Sequence, residues 1–263
     1  MTSRLGKIYN HKKDVLDGTE HKFGVEHFTV DTATLPSSFD LRTQFPSVIP
    51  PILDQQSLGC CGGNEISNAL RFAVGKEGFT EWQPSRLFIY YFTRLLEGSP
   101  IDQDTGISIS GGFKSVKKHG TCNEVKWPYI ISQFSEKPPL VDDEAALTHI
   151  RSFTAMQVQQ DLTHMKQVLF SGKNIVIGIQ VYESFESDAV AKSGVVPMPD
   201  TATEKCLGGH CISLWNYSDA DQTFLASNSW GLDWGQQGWF TIPYKYILDP
   251  NLASDFWAVG YFK

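Results

Sequence analysis

The sequence predicts an α+β fold in two lobes. Apolar residues recur at helical spacing through the first half and at strand-like spacing through the second. The 263 residues, 41% of them hydrophobic, also supply enough apolar surface for a large core.

In chain order, residues 1–34 carry scattered charge and no periodicity, which predicts an arm laid over the surface or partly disordered. LPSSFDLR (35–42) follows, and Pro46, Pro50 and Pro51 exclude a continuous helix beyond it. DQQSLGCCGGNEISNAL (54–70) then leads into an amphipathic helix whose apolar face is Ile66, Ala69, Leu70, Ala73 and Val74, with Gly75 and Gly78 as stops. A second helix is predicted over 84–96, with proline early, Leu87, Phe88, Tyr91 and Leu95 on one face, and Gly98 after it. TGISISGGFKSVKKHG (105–120) reads as a loop, a glycine pair and a short helix with Phe113 and Val116 inward. Beyond about residue 150, strands at 151–158 and 174–182 flank a helix over 161–170, and the remainder is strand-rich to DFWAVGYF near the end.

Composition narrows the function. A net charge of −7 without a Lys/Arg block disfavours nucleic acid as a partner. Five cysteines, an odd number without paired spacing, argue against a disulfide framework and suit a reducing compartment. The first thirty residues contain no apolar stretch of signal-peptide type and no later run reaches membrane-spanning length, so a soluble, cytoplasmic or otherwise intracellular protein without a membrane partner is expected. A metal site built from Cys60, Cys61, Cys206, His210 and Cys211 is disfavoured, because no CxxC pair exists and adjacent cysteines close a tetrahedron poorly. No metal and no cofactor are expected.

The stretch around Cys60 and Cys61 reads as a nucleophile site. A thiol in the first turn of a helix meets unpaired N–H groups and the positive end of the helix dipole, both of which favour its anion. A cysteine alone is more often a small buried hydrophobe. Here, however, GGHCISLWNY (208–217) and FLASNSWGLDWGQQGWF (224–240) place His210 and Asn228 downstream in apolar, β-rich runs. The order Cys, His, Asn, with about 150 positions between the first two, resembles that of papain and the cathepsins.

On these residues the chain is similar to the papain-fold cysteine peptidases, over most of 35–263, and most of all to compact members from bacteria, archaea and large DNA viruses whose nucleophile stretch resembles DQ-x-x-LG-x-C. The resemblance implies a helical lobe over about 52–148, a β-rich lobe over about 149–263 plus 35–51, and a cleft between them. Residues 1–34 are then an N-terminal extension, and a virion is the alternative location for a viral member. The reactive thiol falls six residues after Gln55, at Cys61, which makes Cys60 the rival. Gln55 and the Cys61 N–H would receive the oxyanion, and His210 would act as base and acid. Asn228 would orient His210, and Trp230 of the NSWG motif would shield that pair at the edge of the substrate cleft.

Gly111 and Gly112 resemble the substrate-binding cleft wall, where extended polypeptide pairs with enzyme backbone; a plain loop before a helix is the competing reading. Departures from the family pattern are Leu58 in place of a bridging cysteine, Gln56 where glycine is usual, Cys211 after the histidine, and Gly62–Gly63 in the first helical turn. The helix dipole predicts a thiol pKa below the ordinary value for Cys61 and an ordinary or buried Cys60.

The implied activity is a cysteine endopeptidase acting through a thioester. Residues 1–34 would be a candidate autoinhibitory contact across the cleft. Two other classes are weighed against it. An acyl transferase of transglutaminase type predicts aspartate as the third member, whereas Asn228 stands there. A catalytically impaired papain-fold binding or structural protein predicts the loss of one of these positions, and none is lost.

Overall fold

The computed structural model describes residues 5–22, 35–78, 82–139 and 153–261. The remainder of the arm, the first two residues of the strand expected at 151–158 and the expected lobe boundary at 148–149 lie outside the described residues.

The first lobe is helical. A short strand β1 (Ser38–Asp40) and helical turn α1 (Leu41–Gln44), which pack on the sheet lobe, precede it; it holds α2 (Cys61–Gly75), α3 (Arg86–Leu96) and α4 (Ile109–His119). Side-chain caps explain where two of these helices start: Ser85 accepts from Phe88 N–H and Ser108 from Gly111 N–H, each satisfying a donor that the first turn leaves unpaired. Because Ser108 is the cap, α4 begins before the glycine pair rather than after it.

α2 is buried on every side except at Arg71, although its apolar pattern predicts one buried face. Its polar residues are accommodated by hydrogen bonds: Asn64 Nδ2 donates to Cys60 C=O at 2.7 Å and Asn68 Nδ2 to Pro51 C=O at 3.1 Å. Gly62 and Gly63, which lower helix propensity by roughly 1 kcal/mol each against alanine, are required by packing. A Cβ on Gly62 would sit 2.9 Å from Ile107 Cγ1, and one on Gly63 would sit 2.6 Å from Cys60 Sγ. In α3, Leu87, Phe88 and Tyr91 are buried as expected, but Leu95 is 48% exposed because the helix end turns toward solvent.

The second lobe is built on one antiparallel sheet. Its strands are β2 (Phe153–Gln157), β3 (Ile175–Tyr182), β4 (Cys206–Ser218), β5 (Thr223–Ser227), β6 (Trp239–Pro243) and β7 (Ala253–Tyr261). They run in the order β2-β7-β3-β4-β5-β6, with β1 pairing β4. Helices α5 (Leu162–Phe170), capped by Asp161, α6 (Asp188–Ser193) and α7 (Tyr244–Leu248) complete the lobe.

Two large apolar clusters carry the core among the described residues, beside a small third one of Phe88, Tyr91, Phe92 and Cys122. The larger belongs to the sheet lobe and includes Ile177, Ile179, Ile212, Trp215 and Phe240. The smaller joins α2, α3 and α4 to Val176, Cys211 and Trp257 of the sheet, so the start of α2 is pressed against the middle of β3 and β4. No helix among the described residues is long and apolar enough to cross a membrane.

Candidate active site

α2 starts at Cys61 with Cys60 as its N-cap, and no side chain caps it, which leaves first-turn N–H groups for an incoming anion. The two thiols diverge. Cys60 Sγ lies in the helical lobe, 3.9 Å from Arg86 C=O, whereas the Cys61 thiol lies against the backbone N–H of Cys211, the residue after His210.

His210 is in β4, opposite Ile179 of β3, and Asn228 immediately follows β5. His210 Nε2 and Asn228 Oδ1 are 2.9 Å apart, both residues being buried. The other ring nitrogen, Nδ1, is buried with no hydrogen-bond partner among the described residues. Trp230 covers the pair, its ring 5.1 Å from the imidazole and tilted by 32°.

Gln55 is buried, and Ser229 holds it twice: Gln55 N–H donates to Ser229 C=O at 2.8 Å, and Ser229 Oγ donates to Gln55 Oε1 at 2.9 Å. Gln55 Nε2 donates to Leu58 C=O at 3.0 Å, closing the loop that leads into α2. Gln56 has φ +55°, the left-handed conformation that glycine adopts without strain, so the family's glycine at this position has a direct backbone reason.

The arm fills the cleft. His11 N–H donates to Gly209 C=O at 3.0 Å in the sheet lobe, and Lys12 N–H donates to Ile107 C=O at 3.1 Å in the helical lobe. Tyr9 stands edge-on to His210, ring centroids 5.8 Å apart, and its hydroxyl bonds Glu186. Ion pairs extend the contact on either side, Lys7 with Asp54 at 3.0 Å and Lys12 with Glu97 at 3.2 Å.

Burial decides the charge state. Loss of solvation pushes the Cys61 thiol up to about 12, opposed by backbone N–H groups of Cys211 and Gly62. The expectation of a lowered thiol pKa is therefore overturned for this closed form, because desolvation outweighs the helix terminus. Burial likewise lowers His210 to about 4, opposed by the bond to Asn228. Thiol and imidazole are both neutral here. Cys60 is raised as well, by burial.

Gly111 and Gly112 are not the cleft wall. Their N–H groups are spent within α4, on Ser108 Oγ at 3.1 Å and Ser108 C=O at 3.1 Å, so they have none to offer an extended chain. Gly112 is instead a contact point for Ile66, whose Cδ1 would lie 2.2 Å from a Cβ there. The arm instead meets Gly106–Ile107, where a Cβ on Gly106 (φ +70°) would collide with Asn10 C=O and Ile107 C=O accepts from Lys12 N–H. Sequence reasoning missed these two residues; the available signal was the glycine two positions before the Ser108 cap. It also missed Ser229, which sits inside the NSWG motif.

The family model described as papain family cysteine protease matches residues 104–253, more than half of the chain. An uncharacterized peptidase C1-like protein of Acanthamoeba polyphaga mimivirus is 41% identical over 277 residues, covering 98% of this chain and 88% of that protein. Cathepsin B-like CP3 of Giardia intestinalis is 26% identical, over 81% of this chain and 71% of its own. Among solved structures, xylellain, a cysteine protease from Xylella fastidiosa, superposes with a TM-score of 0.86 at 29% identity, covering 100% of this chain and 99% of that one. The procathepsin B S9 of Trypanosoma congolense shares the fold, with a TM-score of 0.66 at 15% identity over 96% of this chain and 86% of that one. The chain thus belongs to the papain family of cysteine proteases and is a cysteine peptidase with a papain-like α+β fold.

Proposed function

We propose that the protein is an endopeptidase in which Cys61 attacks the peptide carbonyl, His210 moves the proton and Asn228 orients His210. The observation that carries this reading is the buried 2.9 Å contact of His210 Nε2 with Asn228 Oδ1, which leaves Nδ1 unpartnered while the Cys61 thiol lies beside the next residue of the same strand. Proton transfer from Cys61 to Nδ1 produces the thiolate and imidazolium. The thiolate adds to the carbonyl, and the oxyanion is received by Gln55 Nε2 and the Cys61 N–H. The imidazolium then protonates the leaving amine, the C–N bond breaks, and a thioester remains. Water, deprotonated by the imidazole, cleaves the thioester to a carboxylate and the free thiol.

Endopeptidase action is favoured by the arm itself, an internal stretch of polypeptide that passes extended through the cleft and continues on both sides of His210. In our reading the arm is also the closed gate of the enzyme. Tyr9 to Lys12 hold the ground that substrate needs, and turnover requires that they leave.

Comparison of Cys61→Ser with Cys60→Ser on a quenched fluorescent peptide tests the assignment. Cys61→Ser abolishes turnover and Cys60→Ser retains it; the reverse result would put the loop, the oxyanion donors and the helix in the wrong register by one residue.

A further inference from the structure

No disulfide ties down the loop 55–60 that leads to the proposed nucleophile: Leu58 replaces the bridging cysteine, and all five cysteines are free. Within the loop the backbone closes on itself, Leu58 N–H donating to Gln55 C=O at 3.3 Å and Cys60 N–H to Leu58 C=O at 2.7 Å. Gly59 instead donates its N–H out of the loop, to Asp104 Oδ2 at 2.8 Å. Gly59 is buried, which removes water as an alternative acceptor.

Asp104 is in turn fixed from behind. The Tyr90 hydroxyl of α3 donates to Asp104 Oδ1 and accepts from Gly106 N–H at 3.0 Å. A chain of three hydrogen bonds therefore runs from Gly106, where the arm crosses, through Tyr90 and Asp104 to Gly59. Tyr90 is fully buried, and the Arg94 guanidinium lies over its ring at 4.4 Å while donating to Ile101 C=O at 2.7 Å and Gln103 C=O at 2.8 Å. The segment that presents Asp104 is thus tied to α3 on either side of it. The arm touches the same residue, since Asn10 Nδ2 donates to Asp104 C=O at 3.0 Å and lies 3.5 Å from its Oδ1.

Gly59 follows Leu58, whose C=O accepts from Gln55 Nε2 at 3.0 Å, so a shift of Gly59 is passed to the oxyanion donor on one side and to Cys61 on the other. We propose that Asp104 is a positioning residue for the peptidase reaction: through Gly59 its carboxylate holds loop 55–60 so that Gln55 Nε2 and the Cys61 N–H converge on the oxyanion. A carboxylate suits the task. Its hydrogen bonds are stronger than those of a neutral acceptor, and with Tyr90 on one oxygen the other cannot turn away from Gly59. Oxyanion donors act only when aimed at the place where charge develops, so a tether that fixes their aim acts on the rate of the chemical step. The catalytic role rests on the endopeptidase reading above; the tether rests on the contacts alone.

The test compares full-length wild type with Asp104→Ala, Asp104→Leu and Asp104→Asn, each checked by its thermal midpoint. The first measurement is hydrogen exchange at the amides of residues 59–61. Asp104→Ala and Asp104→Leu speed exchange there several-fold, whereas Asp104→Asn, which keeps an acceptor for Gly59 N–H, stays near wild type. Unchanged exchange in whichever of the two apolar variants folds overturns the tether.

The second measurement separates aim from general loosening. A peptide aldehyde adds the Cys61 sulfur to its carbonyl carbon, and the carbonyl oxygen, taking up the electron pair and then the thiol proton, lies where the oxyanion would. Iodoacetamide alkylates the same sulfur with loss of iodide and needs no oxyanion donor. A looser arm raises both alike, so their ratio reads the donors. Asp104→Ala should weaken aldehyde affinity relative to the alkylation rate, and lower kcat on a peptide, by about tenfold, and Asp104→Asn should restore most of both. Aldehyde affinity and alkylation changing in parallel, or Asp104→Asn behaving like Asp104→Ala, overturns the positioning role. Exchange behaving as described while wild type cleaves no peptide would leave the tether standing and remove the endopeptidase reading instead.

Discussion

Ser229 joins the two halves of the proposed catalytic apparatus. Its hydroxyl donates to Gln55 Oε1 at 2.9 Å, and its N–H donates to Asn228 Oδ1, the acceptor of His210, at 2.8 Å. The oxyanion side and the imidazole side of the site are therefore held in register by one residue. In Ser229→Ala, Gln55 Oε1 becomes a buried acceptor short of a partner, a loss of about 1–3 kcal/mol, and the amide is held only through the bond of its Nε2 to Leu58 C=O. Turnover of a peptide substrate is expected to fall about tenfold with little change in KM. A rise in KM at constant kcat would mean that Ser229 shapes binding instead.

In the proposed mechanism Asn228 fixes the imidazole without carrying charge. Asn228→Ala is expected to lower kcat on the order of tenfold or more, and by more than any loss of folded fraction, because β5 ends before it and keeps its ladder to β4. Kinetic constants set against the thermal midpoint separate the two effects. Equal falls in activity and folded fraction would make Asn228 structural.

The closed arm predicts a pH signature for Cys61. Burial pushes its thiol to about 12 and His210 to about 4. Tyr9→Ala removes the ring that stands against His210, admits water, and moves both groups back toward their ordinary values. The midpoint of the pH dependence of Cys61 alkylation by iodoacetamide should fall by about one unit or more. An unchanged midpoint would mean that the lobes alone, without the arm, desolvate the thiol.

Glu65 gives a stability signature. It is buried on α2, its carboxyl raised to about 8 by loss of solvation and opposed by nearby hydroxyls, with Ser227 Oγ at 3.3 Å. The native state therefore keeps a proton that the unfolded chain releases near 4.5, so stability declines as pH rises from about 4.5 to 8 and is level on this account outside that window. Glu65→Gln removes the decline and should be more stable than wild type at pH 8, by on the order of a few kcal/mol. Parallel denaturation midpoints for the two proteins across that range would contradict the protonated carboxyl.

Gln56 carries strain that its family's glycine would not. At φ +55°, Gln56→Gly should stabilise the chain by up to about 1 kcal/mol without altering kcat, measured by urea denaturation. A loss of stability would show that contacts of the glutamine side chain outweigh its backbone strain.

The nucleophile helix, the second helix and the main strands were legible in the sequence because apolar period and capping residues agree there, as at Pro84–Ser85 before α3. The contact of His210 with Asn228, and the place of Cys61 beside the residue after His210, follow the motif order. The cleft wall was not: Gly111–Gly112 is the more conspicuous pair, yet the Ser108 cap starts the helix ahead of it and leaves Gly106 as the glycine the arm meets. Leu95 was misplaced because helical period cannot tell where a helix leaves its neighbours. The contacts of Tyr9 to Lys12 are backbone pairings to residues far along the chain, and such pairings leave no local pattern. The thiol pKa failed for a related reason, since a helix terminus is a local feature and burial by distant parts of the chain is not.

The most direct test of the central claim is to treat the protein with a peptidyl vinyl sulfone and map the adduct by mass spectrometry. The account predicts a single adduct on Cys61, formed faster in Tyr9→Ala and slower in Asn228→Ala. An adduct on Cys60, or equal labelling of Cys61 and the exposed Cys206, would contradict it.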